Sequence, residues 1–164
     1  MRSKPVVAAR LSPDRVRTNV YAKDWRDVVT QTGAFLEEKG FVEARYTTAM
    51  LELLAELGPY MVIAPGVALL HARPGSGVLA PGVVVLTLAQ PVRFGHSEND
   101  PVWLVIGLAA TDPSSHIDAL TEIATCLAEP GVLNSLRTAQ TPESVVEIIR
   151  GSLSVVTEHE GGRI

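Results

Sequence analysis

The stretch Val102–Ala110, VWLVIGLAA, has no charged residue and no polar alternation. It is far too short to cross a bilayer, which takes about 20 apolar residues. A strand apolar on both faces belongs at the centre of a sheet covered on both sides. Helices are the usual cover, so this segment points to an α/β fold, and the rest of the chain has to provide helices for both faces.

It does. RVRTNVYA, Arg15 to Ala22, alternates as a strand. Asp24 is placed to cap a helix running to about Lys39, with Trp25, Val28, Val29, Phe35 and Leu36 on one face and Gly40 as its stop. A second helix is expected from about Glu43 to Leu57, with Tyr46, Met50, Leu53, Leu54 and Leu57 as its core stripe. YMVIA and VALLH are two short strands separated by Pro65-Gly66, and Val83 to Leu88 is a β-branched strand. The polar loop RFGHSENDP leads into the central strand. Ser114 or Ser115 then caps a helix whose expected core face is Ile117, Leu120, Ile123, Ala124 and Leu127. A short helix over VLNSLRTA follows, and Thr141 caps a last helix with Pro142 at its first position, continuing through Ile149. Residues 1–15, broken by Pro5 and Pro13, read as an irregular lead-in, and TEHEGGRI as a frayed tail. The reading is a single α/β domain over 1–164, core about 15–153, with a mixed β-sheet sandwiched between helices.

Composition narrows the function. The net charge of −4 offers no basic surplus to neutralise phosphates and argues against a nucleic-acid protein. The N-terminus lacks the sustained apolar core of a signal peptide, and no apolar stretch is long enough for a membrane span. The single cysteine, Cys126, precludes an intrachain disulfide, reads as a packing residue and suits a reducing cytoplasm.

No GxGxxG, Walker A or GxSxG motif is present, and PGSGV, Pro74 to Val78, reads as a flexible turn. The chemistry-bearing candidates are the histidines. His71 ends the strand VALLH, His96 lies in the loop before the central strand, and His116 opens the helix after it; His159 falls in the tail and reads as solvated. Strand ends and helix starts are where α/β sheets gather ligand sites. No pair has HxxxH or CxxC spacing, so neither metal nor cofactor is signalled.

Two strings carry a resemblance. GPYMVIAPGVALLHARPGSGV, Gly58 to Val78, and FGHSENDPVWLVIGLAATDPSSHIDAL, Phe94 to Leu120, resemble in order the two signatures of the bacterial phosphotransferase system enzyme IIA, in the mannitol/fructose superfamily and its ascorbate-type branch. The resemblance covers about Trp25 to Ile149. It implies a cytoplasmic phosphotransferase: a phosphocarrier that accepts a phosphoryl group from phospho-HPr on the tele nitrogen of His71. The carrier then passes that group to enzyme IIB, which serves the membrane enzyme IIC in uptake of a sugar or sugar acid. It also implies that His116 lies beside His71 and stabilises transfer. Arg73 and His96 are candidate phosphoryl-binding residues; no metal, cofactor or nucleic acid is implied, and a homodimer is allowed. Two departures matter. Family members usually have proline before the active histidine, where this chain has Leu70, a change expected to loosen the approach to His71. The arginine that mannitol-type members carry in the second helix is absent from LELLAEL, as it is from the ascorbate branch, and Arg73 is a possible substitute. The alternative reading is a regulatory module on the same fold, whose phosphorylation controls a partner rather than driving transport.

Overall fold

The structure, a computed structural model, describes the backbone of residues 6–161 and, within it, the side chains of Val7 and residues 9–153. In chain order the elements are α1 (Val6–Arg10), β1 (Val16–Val20), α2 (Trp25–Glu38), α3 (Arg45–Leu57), β2 (Val62–Ala64), β3 (Val67–Leu70), β4 (Gly82–Val92), β5 (Val102–Ala109), α4 (Pro113–Ala128), α5 (Val132–Thr138) and α6 (Pro142–Gly161). The strands form one sheet in the order β1-β4-β5-β3-β2. β1 runs parallel to β4 and β3 parallel to β5, while β4–β5 and β2–β3 are antiparallel. The sheet is therefore mixed, and β5 is its middle strand with every residue buried.

Strand alternation divides the core into two layers. Ala68, Leu70, Val84, Leu86 and Val105 face α2 and α3, where Val28, Phe35, Leu36, Tyr46 and Met50 meet them. Val67, Leu69, Val83, Val85, Leu104, Ile106 and Leu108 face α1 and α4–α6, against Leu11, Ile123, Cys126, Leu136, Val145 and Ile149. Each large side chain removed from water in this way contributes about 1.5–3 kcal/mol. At Gly107 the α2 helix and the neighbouring strand leave no room for a side chain: a Cβ there would lie 2.6 Å from Thr32 Cγ2 and 2.8 Å from Val84 Cγ2.

Four local expectations are corrected. The lead-in contains helix α1, because Val7 and Leu11 bury against the α4–α6 layer, so the core begins before residue 15. The α4 cap is Asp112, with Pro113 following it; its carboxylate accepts from Ser115 N at 2.8 Å, leaving Ser114 and Ser115 inside the helix. The α4 core face is met in part: Ile123 is buried and Leu120 and Leu127 pack against the same layer as expected, but Ala119 and Cys126 complete the face in place of Ile117, which is 61% exposed, and Ala124, which is also exposed. PGSGV is a fixed 3₁₀ turn (Pro74–Ser76) rather than a flexible one, held by Glu43 N to Gly77 O at 2.8 Å and Arg45 Nη1 to Gly75 O at 3.2 Å. Thr141 caps α6 as expected, accepting from Ser144 N at 3.2 Å, and the helical backbone continues past Ile149 to Gly161. The side chain of His159 lies outside the described residues.

Candidate active site

β3 and β5 are parallel neighbours, so their C-terminal ends stop side by side, with Leu70 opposite Gly107. The residue after β3 is His71, and the helix after β5 is α4, which carries His116 in its first turns. Topology thus joins two histidines far apart in sequence, at the carboxyl ends of parallel strands. Their ring centroids are 4.9 Å apart with planes tilted by 55°.

The His71 tautomer follows from one contact. Nδ1 lies 3.0 Å from the Leu69 carbonyl oxygen. A carbonyl only accepts, so Nδ1 bears the proton and Nε2 keeps its lone pair. Burial pushes the His71 pKa below its usual 6.5; the Leu69 carbonyl opposes this and His116 adds to it. His116 is lowered too, by burial. A neutral ring with a free Nε2 is a nucleophile. The Tyr60 ring stands edge-on to His71, 6.2 Å between centroids and at 87°. Burial raises the Tyr60 pKa, and nearby Arg73 pulls it down. Arg73 is exposed at this rim.

The departure at Leu70 falls on regular strand backbone. Leu70 is fully buried in the α2–α3 layer and paired with β5, so strand pairing and packing hold the position that proline would stiffen. Just beyond His71, Tyr46 of α3 ties the chain down. Its hydroxyl donates to Leu108 O at 2.6 Å and accepts from Ala72 N at 2.8 Å, bridging the ends of β3 and β5. Burial pushes its pKa up to about 12, so the hydroxyl keeps its proton. Sequence reading placed Tyr46 only in the core stripe; a tyrosine within a buried face was the available signal, because a buried hydroxyl needs partners. Tyr60 was missed as a neighbour of His71.

His96 does not join this cluster, and its candidacy as a phosphoryl-binding residue is corrected by its position. Its loop packs at the other end of β3, where Gly66 N donates to Asn99 O at 2.8 Å and Asn99 Nδ2 to Val62 O at 3.3 Å. His96 Nδ1 accepts from Glu98 N at 3.1 Å and Asn99 N at 3.0 Å, a loop-closing role. The β4–β5 connection is antiparallel, which carries it away from the end where β3 and β5 stop. Among the described residues no three His, Cys, Asp or Glu side chains gather to hold a metal ion, and no helix is long and apolar enough to cross a membrane.

The comparisons with known proteins agree with this architecture. The ascorbate-specific PTS system EIIA component of Escherichia coli (strain K12) is 34% identical over 135 residues, covering 82% of this chain and 88% of that protein. The solution structure of the mannitol-specific cryptic phosphotransferase enzyme IIA CmtB from Escherichia coli superposes with a TM-score of 0.79 at 33% identity, over 88% of this chain and 98% of that one. A complex of enzyme IIA and phosphorylated enzyme IIB of the mannitol system from Escherichia coli gives a TM-score of 0.76 at 27% identity, over 87% and 98%. The sequence model for the phosphoenolpyruvate-dependent sugar phosphotransferase system, EIIA 2, matches residues 10–152, and the chain belongs to that family.

Proposed function

We propose that the chain is a cytoplasmic phosphohistidine carrier, accepting a phosphoryl group from phospho-HPr on His71 Nε2 and passing it to enzyme IIB, for uptake of a sugar or sugar acid of the ascorbate type through a membrane enzyme IIC. The observation that carries this reading is the His71 tautomer: Nδ1 committed to Leu69 O, Nε2 free, and a second imidazole 4.9 Å away. Family membership and the names of the relatives support the partners and the substrate class.

The step is a displacement at phosphorus. The Nε2 lone pair forms the new N–P bond while the donor's N–P bond breaks and its electrons return to the donor imidazole. The His71 ring then carries formal positive charge, with Nδ1–H still donating to Leu69 O. That charge makes Nε2 a good leaving group when IIB attacks, and the electrons return to Nε2. His116, whose ring lies 4.9 Å from that of His71, donates in this reading to the phosphoryl oxygens as charge builds on them. Arg73 at the rim adds positive charge for an incoming anion.

The test is incubation with phosphoenolpyruvate, enzyme I and HPr. The expected result is one acid-labile, alkali-stable label per chain, absent from His71→Ala. An alkali-labile label, or a labelled His71→Ala protein, places the acceptor elsewhere.

A further inference from the structure

A sizeable concavity lies away from the histidine pair. It lies at the opposite end of the sheet, is open to solvent, has a volume of about 540 Å³, and is lined by Thr18, Asn19, Thr87, Trp103, Arg137 and Gln140 among others. Two strand ladders break there together. β1 loses register with β4 between Arg17 and Val20, and β4 loses register with β5 between Thr87 and Val92. Asn19 adopts a left-handed backbone, φ 57°, and its N–H turns to Thr87 Oγ1 at 3.1 Å. Bulges of this kind re-aim side chains and open a sheet locally, often beside binding sites.

The lining has a definite chemical character. The hydroxyls of Thr18, donating to Gln140 O, and of Thr87, accepting from Asn19 N, each keep a further hydrogen-bonding position; Asn19 and Gln140 add side-chain amides, Arg137 is a cation, and none of the lining residues is acidic, although the chain as a whole is at −4. The Arg137 guanidinium lies over the Trp103 ring, 5.5 Å from its centroid, and makes no ion pair among the described residues. Its planar fork matches a carboxylate or phosphate. The volume exceeds what a bare inorganic anion fills and falls in the range of small-molecule sites.

We propose that this concavity binds a small polyhydroxylated oxyanion, a sugar acid or a sugar phosphate, with the anionic group on Arg137 and the hydroxyls along Thr18, Asn19, Thr87 and Gln140. The site is separate from His71 and does not depend on phosphoryl transfer there. Isothermal titration of the full chain with gluconate and with glucose 6-phosphate, with glucose and inorganic phosphate as controls, tests it. Saturable binding of at least one oxyanion, and none of glucose, is expected; whichever probe binds identifies the carboxylate or the phosphate as the recognised group. Arg137→Gln should weaken binding roughly tenfold or more, the effect of losing one charge-assisted hydrogen bond. Arg137→Lys should restore part of it, and His71→Ala should bind as the wild type does. Amide shift changes in an NMR titration should centre on Thr18, Asn19, Thr87 and Gln140. The proposal fails if neither oxyanion saturates, if Arg137→Gln binds unchanged, or if the shifts centre on His71 and His116.

Discussion

At the His71 end of the sheet the strands stay paired, Leu70 opposite Gly107 and Gly82 opposite Ala109; towards the His96 end the β1–β4 and β4–β5 ladders lose register. Regular pairing at the first end fixes two imidazoles at 4.9 Å and lets Tyr46 bridge Ala72 and Leu108. Broken pairing at the second leaves a concavity of about 540 Å³. Group transfer needs reacting atoms held within narrow limits, and regular backbone supplies that. Holding a small molecule needs room, and irregular backbone supplies room. On the proposed function, the hollow and the chemistry lie at opposite ends of the sheet.

The sharpest way to break this contrast is at His116. His116→Ala should fold, still take its label on His71, and transfer about 10²–10³ more slowly, the effect of losing one donor aimed at developing charge. Single-turnover phosphorylation by phospho-HPr measures this; a variant with wild-type rate and a lower melting temperature would make His116 a packing residue. Tyr46→Phe comes next. It leaves Ala72 N–H and Leu108 O without their partner in a buried place, at about 1–3 kcal/mol. Denaturant unfolding should show that loss, and single-turnover transfer should slow as well, because the segment after His71 is no longer tied. Loss of stability with no change in rate would confine Tyr46 to the core.

The pH dependence is subtler. Because the folded His71 pKa lies below the ordinary 6.5, the unfolded chain binds the proton more readily. The associated stability is fully present above pH 6.5 and is lost as pH falls from there through the folded value. NMR titration of the His71 ring should give a midpoint below 6.5, with acceptor activity persisting to that midpoint; a midpoint at or above 6.5 would contradict a desolvated neutral ring. The smallest effect is expected at the other end, where His96→Ala should leave transfer at the wild-type rate. A slowed His96→Ala would mean the two ends are coupled.

Much of this was legible in the sequence, for local reasons. VWLVIGLAA could only be a doubly covered strand, and the string around His71, Gly58 to Val78, was recognisable apart from Leu70. The α4 face was legible only in part: Ile123, Leu120 and Leu127 were, but Ile117 and Ala124 are as apolar as Ala119 and Cys126, and only packing on the sheet chooses between those pairs. His96 and His116 both sit at strand junctions, and a sequence does not say which end of the sheet a junction occupies; that depends on the β3–β5 pairing between distant segments. The hydroxyl of Tyr46 was hidden for the same reason, since its partners Ala72 and Leu108 come from two other elements.

The pairing of β1 with β4 has a consequence in chain entropy. Val16 pairs with Val85 across α2, α3, β2 and β3, whereas β4 and β5 are joined by one loop. The freedom lost on bringing two segments together grows with the length of chain between them, though only logarithmically. β1 therefore closes the longest loop in the sheet, and it does so with a ladder already interrupted at Asn19. The strand that supplies Thr18 and Asn19 thus meets a high entropic demand with a broken ladder, and the burial of Val16 and the hydrogen bond from Thr18 Oγ1 to Gln140 O add to what its pairing supplies.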